Sequence, residues 1–486
     1  MTEGSKRSKT EKRTAQSQIR LISGVMIALF LVLCGYITAY ALTNQRTLFE
    51  NDYNTRPQML LSQNIRGSIL AADGNVLAET LVGEDGTLYR SYPYNEMFSH
   101  IVGFATYGKS GLEDAEDYYL VRSGLSLSEK AKYDETGAKY PGNNVRTTLE
   151  TSLQEAAYRT MGIYRGAVIL SEVKTGRILA MVSKPDFDPN MVRANWDSYL
   201  NDSESGVLLN RATQGTYPPG STFKIIDAME YPQEVPDALN TYRYNCTGHF
   251  TLENESIHCY HNETHGGVDL TTSFAKSCNT SFANIGASLD KKSFTQFLSK
   301  LYFGRALPYD LPAAKSHVKA GEDMNATDLV QLSIGQGETG ISPLHLNMIT
   351  SAVANGGVMM KPYVVERIEA ADGRTIRKNE PVQLGRIIDE TTAEQMQRLL
   401  KSVVDFGTAT KLQNSLYTAA GKTGSAEFTD DPSKSHAWFT GYAPAEDPQV
   451  CVTIIIEGAG SGGSYAVPMA KDVLDAYFSY GRSAGN

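Results

Sequence analysis

The chain has 486 residues, a hydrophobic content of 41% and a net charge of −9. That length allows roughly two to four domains, and that composition is enough to bury large cores. An acidic chain lacks the basic footprint that phosphate binding requires, so the composition argues against a nucleic-acid partner.

The first 20 residues form a basic tail, with six basic and two acidic side chains, and no further charge occurs before Arg46. As a helix rising about 1.5 Å per residue, residues 21–42 can cross a hydrocarbon core of roughly 30 Å. We therefore expect a single transmembrane helix, with residues 1–20 in the cytoplasm and the rest of the chain outside. The rival interpretation is a cleaved signal peptide, because residues 39–41 match an Ala-x-Ala cleavage site. The apolar run is longer than a usual signal core.

Residues 43–145 are predicted to form an extracytoplasmic spacer of short strands and turns. Residues 64–70, followed by Asp73 and Gly74, are typical of a strand, a hairpin turn and a second strand. A charged helical stretch begins at Gly111. Nothing in this segment has a catalytic pattern.

Residues 146–486 indicate one large α+β domain, an antiparallel sheet with helices on both sides. The predicted strands are residues 166–170, 177–182, 437–442 and 450–457. The predicted helices that frame them are residues 151–161 and 467–479.

One of the motifs in this domain, Ser-x-x-Lys, occurs five times, at Ser171, Ser221, Ser273, Ser288 and Ser316. Only Ser221 follows a Pro-Pro-Gly segment, which ends a loop sharply and prepares a helix start. Ser221 and Lys224 then lie on one face of a helix. A serine is a poor nucleophile until a base removes its proton, and a desolvated lysine can be that base. The Ser221 N–H, near the helix start, is free to point at a developing oxyanion.

Two further motifs follow Ser221 in the chain. Ser-x-Asn occurs at Ser62 in the spacer and again at Ser277, where Asn279 completes it. Lys-Thr-Gly occurs at Lys174, where a hairpin turn explains it better, and at residues 422–424 in a predicted edge strand. Each motif is weak alone, but this order and spacing are unlikely to arise without a shared function.

With these motifs, the chain resembles the transpeptidase domain of the class B penicillin-binding proteins. The resemblance covers residues 145–479. Its most specific blocks are residues 217–224, 333–338, 342–344 and 420–426. The short spacer more weakly resembles the penicillin-binding protein A group, whose spacer is described as a dimerisation domain.

The resemblance implies a D,D-transpeptidase that cross-links peptidoglycan stem peptides through an acyl-enzyme and is acylated by β-lactams. It implies that Ser221 attacks the D-Ala-D-Ala bond and that Lys224 is the base. Ser277 would relay the proton to the leaving amine, and Asn279 would hold the substrate amide. Lys422 would supply a positive electrostatic field in the site. Thr423 would hold the terminal carboxylate, and Gly424 would also bind substrate. The backbone N–H groups of Ser221 and Ser425 would form the oxyanion hole.

The implied partners are stem peptides, β-lactams, a lipid II polymerase and a second copy of the chain. The chemistry requires no metal and no cofactor. Other functions remain open at this point: a D,D-carboxypeptidase or β-lactamase that passes the acyl group to water, or a non-catalytic β-lactam sensor or scaffold. The anchor, the spacer and residues 333–338 favour the transpeptidase.

Two other patterns occur in the chain. Residues 458–463 fit Gly-x-Gly-x-x-Gly, but no strand and acidic residue follow, so a loop is expected. Cysteine and histidine crowd one loop before Ser277, and the sequence leaves open a Cys246–Cys259 disulfide, free thiols or a metal site. The residues in that loop are Cys246, His249, His258, Cys259, His261 and His265. Cys278, inside the Ser-x-Asn motif, is expected to be a small packing residue.

Overall fold

The computed structural model describes residues 3–44, 56–202, 204–253, 255–321, 324–426 and 434–483. The chain divides into two compact units, Met1–Asn64 and Ile65–Asn486.

The first unit contains a long helix, Glu3–Thr43, and a short one, Arg56–Gln63. Within the long helix, Ser17–Ala41 has a mean hydropathy of 2.4 and is long enough to cross a membrane. This segment overlaps the predicted span 21–42. Its apolar side chains from Leu21 to Tyr40 are exposed, as lipid-facing side chains would be.

The second unit begins with a six-stranded sheet that joins distant parts of the chain. In spatial order its strands are Thr375–Lys378, Val365–Glu369, Asn144–Thr147, Ile69–Leu70, Val76–Val82 and Leu88–Ser91. Asn144–Thr147 pairs antiparallel with Val365–Glu369 and parallel with Ile69–Leu70. The predicted boundary between residues 145 and 146 therefore falls inside a strand that hydrogen-bonds to both segments.

The charged helical stretch at Gly111 packs beside this sheet because its acids are paired. Glu113 is fully buried and accepts hydrogen bonds of 2.6 Å from Nε of both Arg66 and Arg90. The short helices in this part of the chain are Asn95–Phe98, Ser99–Val102, Gly111–Ala115, Asp117–Leu120 and Leu127–Thr136.

The core of the second unit is a five-stranded antiparallel sheet. In spatial order its strands are Ala420–Ala426, His436–Ala443, Val450–Ile456, Gly166–Glu172 and Ile178–Lys184. Helices Thr151–Met161 and Ala466–Ser483 cover one face, and helices Pro343–Ala354 and Glu390–Asp405 cover the other. Every residue of Val450–Ile456 is buried, because both faces of the sheet are covered. The predicted α+β class and its framing strands and helices are confirmed.

Most of the remaining helices lie between the second and third core strands in sequence: Val192–Asn201, Lys224–Glu234, Ala238–Thr241, Leu270–Ala275, Asn279–Ser288, Lys291–Lys300 and Ala326–Ser333. The remaining strands are short: Asn64–Ile65, Tyr140–Pro141, Tyr244–Cys246, His249–Leu252, Glu255–His258, Gly266–Val268, Val358–Met360 and Gln383–Arg386.

Candidate active site

Ser221 lies in a single 3-10 turn, Gly220–Thr222, that runs directly into the helix Lys224–Glu234. The Phe223 N–H donates to the Gly220 carbonyl at 2.9 Å, which closes this turn. The predicted helix start is therefore confirmed, with the serine in the turn and the lysine at the first α-helical residue.

Gly220 is required by both its backbone and its surroundings. Its φ of +53° is a conformation that side chains rarely adopt, and a Cβ there would lie 2.8 Å from the Ser425 carbonyl oxygen. A Cβ on Gly335 would lie only 2.1 Å from the Gly220 oxygen. The Gly220 N–H donates to the Gly335 carbonyl at 3.0 Å. The block 333–338 therefore braces the turn that carries Ser221.

The loop before Ser221 is tied to the core sheet. The Tyr217 hydroxyl donates to Glu457 Oε1 at 2.8 Å, and Trp438 Nε1 donates to the Pro218 carbonyl at 3.0 Å. Glu457 also accepts from Arg211 Nε at 2.8 Å. Trp438 is fully buried, so the Ser221 turn is held against a rigid part of the sheet.

Ser277 occupies the turn between helices Leu270–Ala275 and Asn279–Ser288. Its φ is +58°, in the left-handed region that a serine adopts only when its surroundings enforce it. The Cys278 N–H donates to the Ser273 carbonyl at 2.9 Å, which helps to hold this turn.

Lys224 is fully buried, and its ammonium group faces the Ser277 turn. Nζ donates to the Ser277 carbonyl and to Asn279 Oδ1, both at 2.7 Å, and lies 3.3 Å from Ser277 Oγ. Asn279 Nδ2 donates to the His258 carbonyl at 2.9 Å, which orients the amide so that Oδ1 faces the lysine. Burial lowers the pKa of Lys224 to about 8.

Lys422 reaches the same hydroxyl from the edge strand Ala420–Ala426. Its Nζ donates to Ser277 Oγ at 2.8 Å and to the Thr423 carbonyl at 3.1 Å. Lys422 is also fully buried. Burial, together with the positive charge of Lys224, holds the pKa of Lys422 well below its ordinary value. Both buried amines contact the Ser277 hydroxyl, so their positive charges oppose each other.

The edge strand also places the predicted substrate-binding residues. The Thr423 and Thr408 hydroxyl oxygens lie 2.5 Å apart. A Cβ on Gly424 would lie 2.9 Å from the Pro219 carbonyl oxygen, so this glycine lets the strand lie close to the loop before Ser221. The Ser425 Oγ accepts from the Gly462 N–H at 3.3 Å. The predicted position of the motif in an edge strand is confirmed.

A cavity of about 950 Å³ brings the motifs together. It is lined by six of the predicted site residues: Ser221, Ser277, Asn279, Thr423, Gly424 and Ser425. Lys224 and Lys422 lie beneath its floor and reach it through Ser277.

Sequence reasoning missed parts of the cavity wall. Thr408 lies in the loop before the edge strand, and its contact with Thr423 had no sequence signal beyond a Gly-Thr pair. The glycine-rich run 458–463 is a loop, as predicted, but Ser461, Gly463 and Ser464 line the cavity. Within that run, a Cβ on Gly462 would lie 2.5 Å from the Gly424 carbonyl oxygen.

Three of the rejected motif copies lie outside the cavity lining, whereas Lys276 of the Ser273 copy lines the cavity beside Ser277. Ser171 is in a core strand, where its hydroxyl donates to Asn347 Oδ1 at 2.6 Å. Lys174 lies in the turn that joins the first two core strands, as predicted. Ser288 donates to the Ile285 carbonyl at 2.6 Å in its own helix. The choice of Ser221 over these serines agrees with their positions.

Two family models match the chain. One, described as penicillin binding protein transpeptidase domain, matches residues 166–475, and the other, described as penicillin binding protein A dimerisation domain, matches residues 66–145. Over 466 residues the chain is 33% identical to the peptidoglycan D,D-transpeptidase PbpA of Mycolicibacterium smegmatis, covering 89% of this chain and 91% of that protein.

Two further relatives extend this similarity. Over 453 residues the chain is 28% identical to the peptidoglycan D,D-transpeptidase MrdA of Acinetobacter baumannii, covering 79% of this chain and 65% of that protein. The solved ceftriaxone acyl-enzyme complex of penicillin-binding protein A from M. tuberculosis superposes with a TM-score of 0.79 at 29% identity. That match covers 85% of this chain and 98% of the other.

Proposed function

Because this chain belongs to the penicillin-binding protein transpeptidase family, we propose that it is a peptidoglycan D,D-transpeptidase with Ser221 as its nucleophile. One observation carries the proposal: two buried lysines converge on the Ser277 hydroxyl at the cavity that Ser221 lines. That arrangement provides a nucleophile, a base and a proton relay within one water-accessible cleft.

Lys224 is the base for acylation. Asn279 Oδ1 and the Ser277 carbonyl can only accept hydrogen bonds, so together they occupy the two N–H groups of a neutral amine. The nitrogen lone pair is then left for a hydroxyl. Lys224 takes the Ser221 proton as Oγ bonds to the carbonyl carbon of the penultimate D-Ala, and the electron pair moves onto the carbonyl oxygen.

The oxyanion is stabilised by the backbone N–H groups of Ser221 and Ser425. Their proximity is supported by Gly220, whose position leaves no room for a side chain against the Ser425 carbonyl. When the peptide C–N bond breaks, the Ser277 hydroxyl passes a proton to the leaving D-Ala amine. The lysine pair that faces Ser277 then returns a proton to its hydroxyl.

Substrate is held along the edge strand. Thr423 binds the terminal carboxylate, with Lys422 supplying positive field beneath it, and Gly424 and Ser425 present backbone groups to the peptide. Asn279 holds the substrate amide through Nδ2, exchanging its bond with His258 for one with substrate. An amine of a neighbouring stem then attacks the acyl-enzyme carbonyl and releases Ser221 as the cross-link forms.

Labelled penicillin tests the site directly. The full chain in detergent is incubated with the label, and the adduct is followed by mass. We expect one stable adduct on Ser221, its absence in Ser221→Ala and its retention in Ser288→Ala, a serine with the same Ser-x-x-Lys spacing. Absence of an adduct would contradict the site. Rapid loss of label to water would favour a β-lactamase. With stem peptide, free D-Ala without cross-linked product would indicate a carboxypeptidase.

The placement of the chain follows from the same function. We propose that residues 1–20 are cytoplasmic, residues 21–42 span the membrane and residues 43–486 lie outside, with residues 43–145 as a dimerisation spacer before the transpeptidase domain 146–486. The match of residues 66–145 to a dimerisation-domain model supports a homodimer. A lipid II polymerase is a further proposed partner, because cross-linking consumes newly made strands. Protease protection in sealed vesicles and crosslinking in membranes test orientation and partners.

A further inference from the structure

Four metal-ligating side chains meet beside the Ser277 turn. They come from four separate segments: the end of strand Tyr244–Cys246, the residue after Glu255–His258, the residue before Gly266–Val268 and the start of helix Asn279–Ser288. The residues are Cys246, Cys259, His265 and Cys278, and one potential ligand atom from each lies within 4.8 Å of all the others. The three cysteines are almost completely buried.

Four of the six distances between these atoms match a tetrahedral zinc ion, and the two others, from Cys278 Sγ to Cys246 Sγ and to His265 Nδ1, are within 4.8 Å. With zinc–sulfur bonds of about 2.3 Å and zinc–nitrogen bonds of about 2.0 Å, a tetrahedron places its sulfurs about 3.8 Å apart and sulfur and nitrogen about 3.5 Å apart. The Cys259 Sγ lies 3.7 Å from the Sγ atoms of both Cys246 and Cys278. The His265 Nδ1 lies 3.4 Å from Cys246 Sγ and 3.7 Å from Cys259 Sγ.

The surroundings complete the site. The other ring nitrogen of His265, Nε2, lies 3.7 Å from Glu263 Oε2, so a carboxylate faces the nitrogen that points away from the sulfurs. Carboxylates in this position fix the orientation and basicity of metal-bound imidazoles. The Thr280 hydroxyl lies 3.2 Å from Cys246 Sγ and 3.4 Å from Cys278 Sγ, where it can donate to thiolates.

We propose that these four side chains bind one Zn²⁺ ion. Three sulfurs and one imidazole are a soft donor set in tetrahedral array, which selects zinc over the hard cations. With all four positions filled by protein, the ion has no open site for water, so it is structural. Each thiol loses its proton to solvent as its zinc–sulfur bond forms.

The geometry favours the ion over the Cys246–Cys259 disulfide left open by the sequence. A disulfide requires a sulfur–sulfur distance of about 2.05 Å. Here Cys259 Sγ is equally distant from two sulfurs, and neither pair is singled out. A Cys246–Cys259 disulfide would also leave Cys278 Sγ and His265 Nδ1 close to the bonded sulfurs with no ligand to share. Cys278 is thus more than the small packing residue that the sequence suggests.

The ion has a consequence for the catalytic turn. Cys278 stands between Ser277 and Asn279, and two of the other ligands, Cys259 and His265, line the cavity. Zinc therefore ties this part of the cavity wall to the turn in which Ser277 is held at φ +58°. This part of the inference rests on the proposed function, and the binding of the ion does not.

Metal analysis tests the site. The full chain, purified in detergent without a histidine tag, is expected to contain about one zinc per chain by elemental analysis. Cys246→Ser and His265→Ala should retain less than about a tenth of that amount, whereas Cys451→Ala, a matched buried cysteine outside the cluster, should keep it all. Wild-type protein loaded with Co²⁺ should show thiolate charge-transfer and strong tetrahedral d–d absorption.

A variant that keeps every ligand guards against misfolding. Glu263 is two-thirds exposed, and Glu263→Gln should weaken zinc about 10- to 100-fold against a competing chelator. A wild-type chain without zinc, or a Cys246–Cys259 disulfide in it on non-reducing mass analysis, would overturn the site.

Removing zinc should slow penicillin acylation about 10- to 100-fold, reversibly on zinc return. Unchanged acylation would overturn only the link to the catalytic turn.

Discussion

The Nζ of Lys422 donates a 2.8 Å hydrogen bond to the Ser277 Oγ. The Nζ of Lys224 approaches the same oxygen to 3.3 Å from the other side. One hydroxyl thus links the edge strand of the core sheet to the helix that follows Ser221. Proton transfer through this oxygen is the central expectation of the proposed mechanism.

Replacing Ser277 with alanine should slow acylation by penicillin about 10²- to 10⁴-fold, because both lysines lose the hydroxyl that relays the proton. The rate is measured by rapid-quench labelling of the full chain. Ser288 ends the helix Asn279–Ser288, and its hydroxyl donates to the Ile285 carbonyl of the same helix. Ser288→Ala is therefore the matched control and should react normally. Equal rates for both variants would remove Ser277 from the mechanism.

The acylation rate should rise with pH through the neutral range. Burial lowers the pKa of Lys224 to about 8, so its basic, uncharged form grows as pH increases and is nearly complete above that value. We expect the rate constant to rise about tenfold per pH unit below the inflection and then to level off. Lys174→Met, in the second Lys-Thr-Gly motif, should leave the profile unchanged. A flat profile, or an inflection near that of a free lysine, argues against Lys224 as the base.

Gly335→Ala should destabilise the second unit more than an equivalent change elsewhere. A Cβ on Gly335 would lie 2.1 Å from the Gly220 oxygen, at a φ of +69°. Gly356 has a φ of +61° with nothing within 4 Å of the added atom, so Gly356→Ala shares the backbone strain but not the clash. Chemical unfolding should show an extra loss of about 1–3 kcal/mol for Gly335→Ala. No difference between the two would mean that the turn shifts freely.

Glu457→Gln should lower the free energy of unfolding by about 2–3 kcal/mol at pH 7, because Arg211 is almost fully buried and loses its charged partner. Burial opposes ionisation of Glu457, but Arg211 and Tyr217 outweigh it and hold the pKa of this carboxyl below its ordinary value. Its contribution is therefore complete above the ordinary carboxyl range and is lost as pH falls through the lowered pKa.

Wild type and Glu457→Gln should accordingly converge in stability as the solution is acidified. Urea unfolding at several pH values, followed by tryptophan fluorescence, measures the difference. Asp447→Asn is the control, since Asp447 pairs with Lys174 while both are more than two-thirds exposed, and the change should cost less than about 0.5 kcal/mol. A difference that persists at low pH would contradict the charge-based explanation.

Much of the local structure could be predicted because it depends on neighbouring residues. Residues 450–457 are predicted as a strand, and the structure has it at Val450–Ile456. The Pro-Pro-Gly segment predicted the turn at Ser221, because proline fixes its own φ and glycine allows a positive φ. The same reasoning separated the hairpin turn at Lys174 from the edge-strand motif at Lys422.

Other features could not be read from local pattern. Strand Asn144–Thr147, at the predicted domain boundary, pairs with Val365–Glu369, a segment more than two hundred residues away. The glycine-rich run 458–463 was predicted as a loop, but its place in the cavity wall depends on its packing against Gly424. The alternatives for Cys246 and Cys259 could be judged only once Cys278 and His265 were placed beside them.

The sequence by itself determined the chemistry that this protein carries: which serine has a lysine one turn away at a helix start, and which motifs follow it. Backbone constraints and helix periodicity act over a few residues, so they can be read from consecutive residues of the sequence. The tertiary structure alone decided that Lys224 and Lys422 share the Ser277 hydroxyl and that four ligand atoms meet beside it. Those distances arise from the packing of helices and strands that are far apart in sequence. Burial removes water as a partner, so the charged and sulfur-bearing side chains there must contact one another.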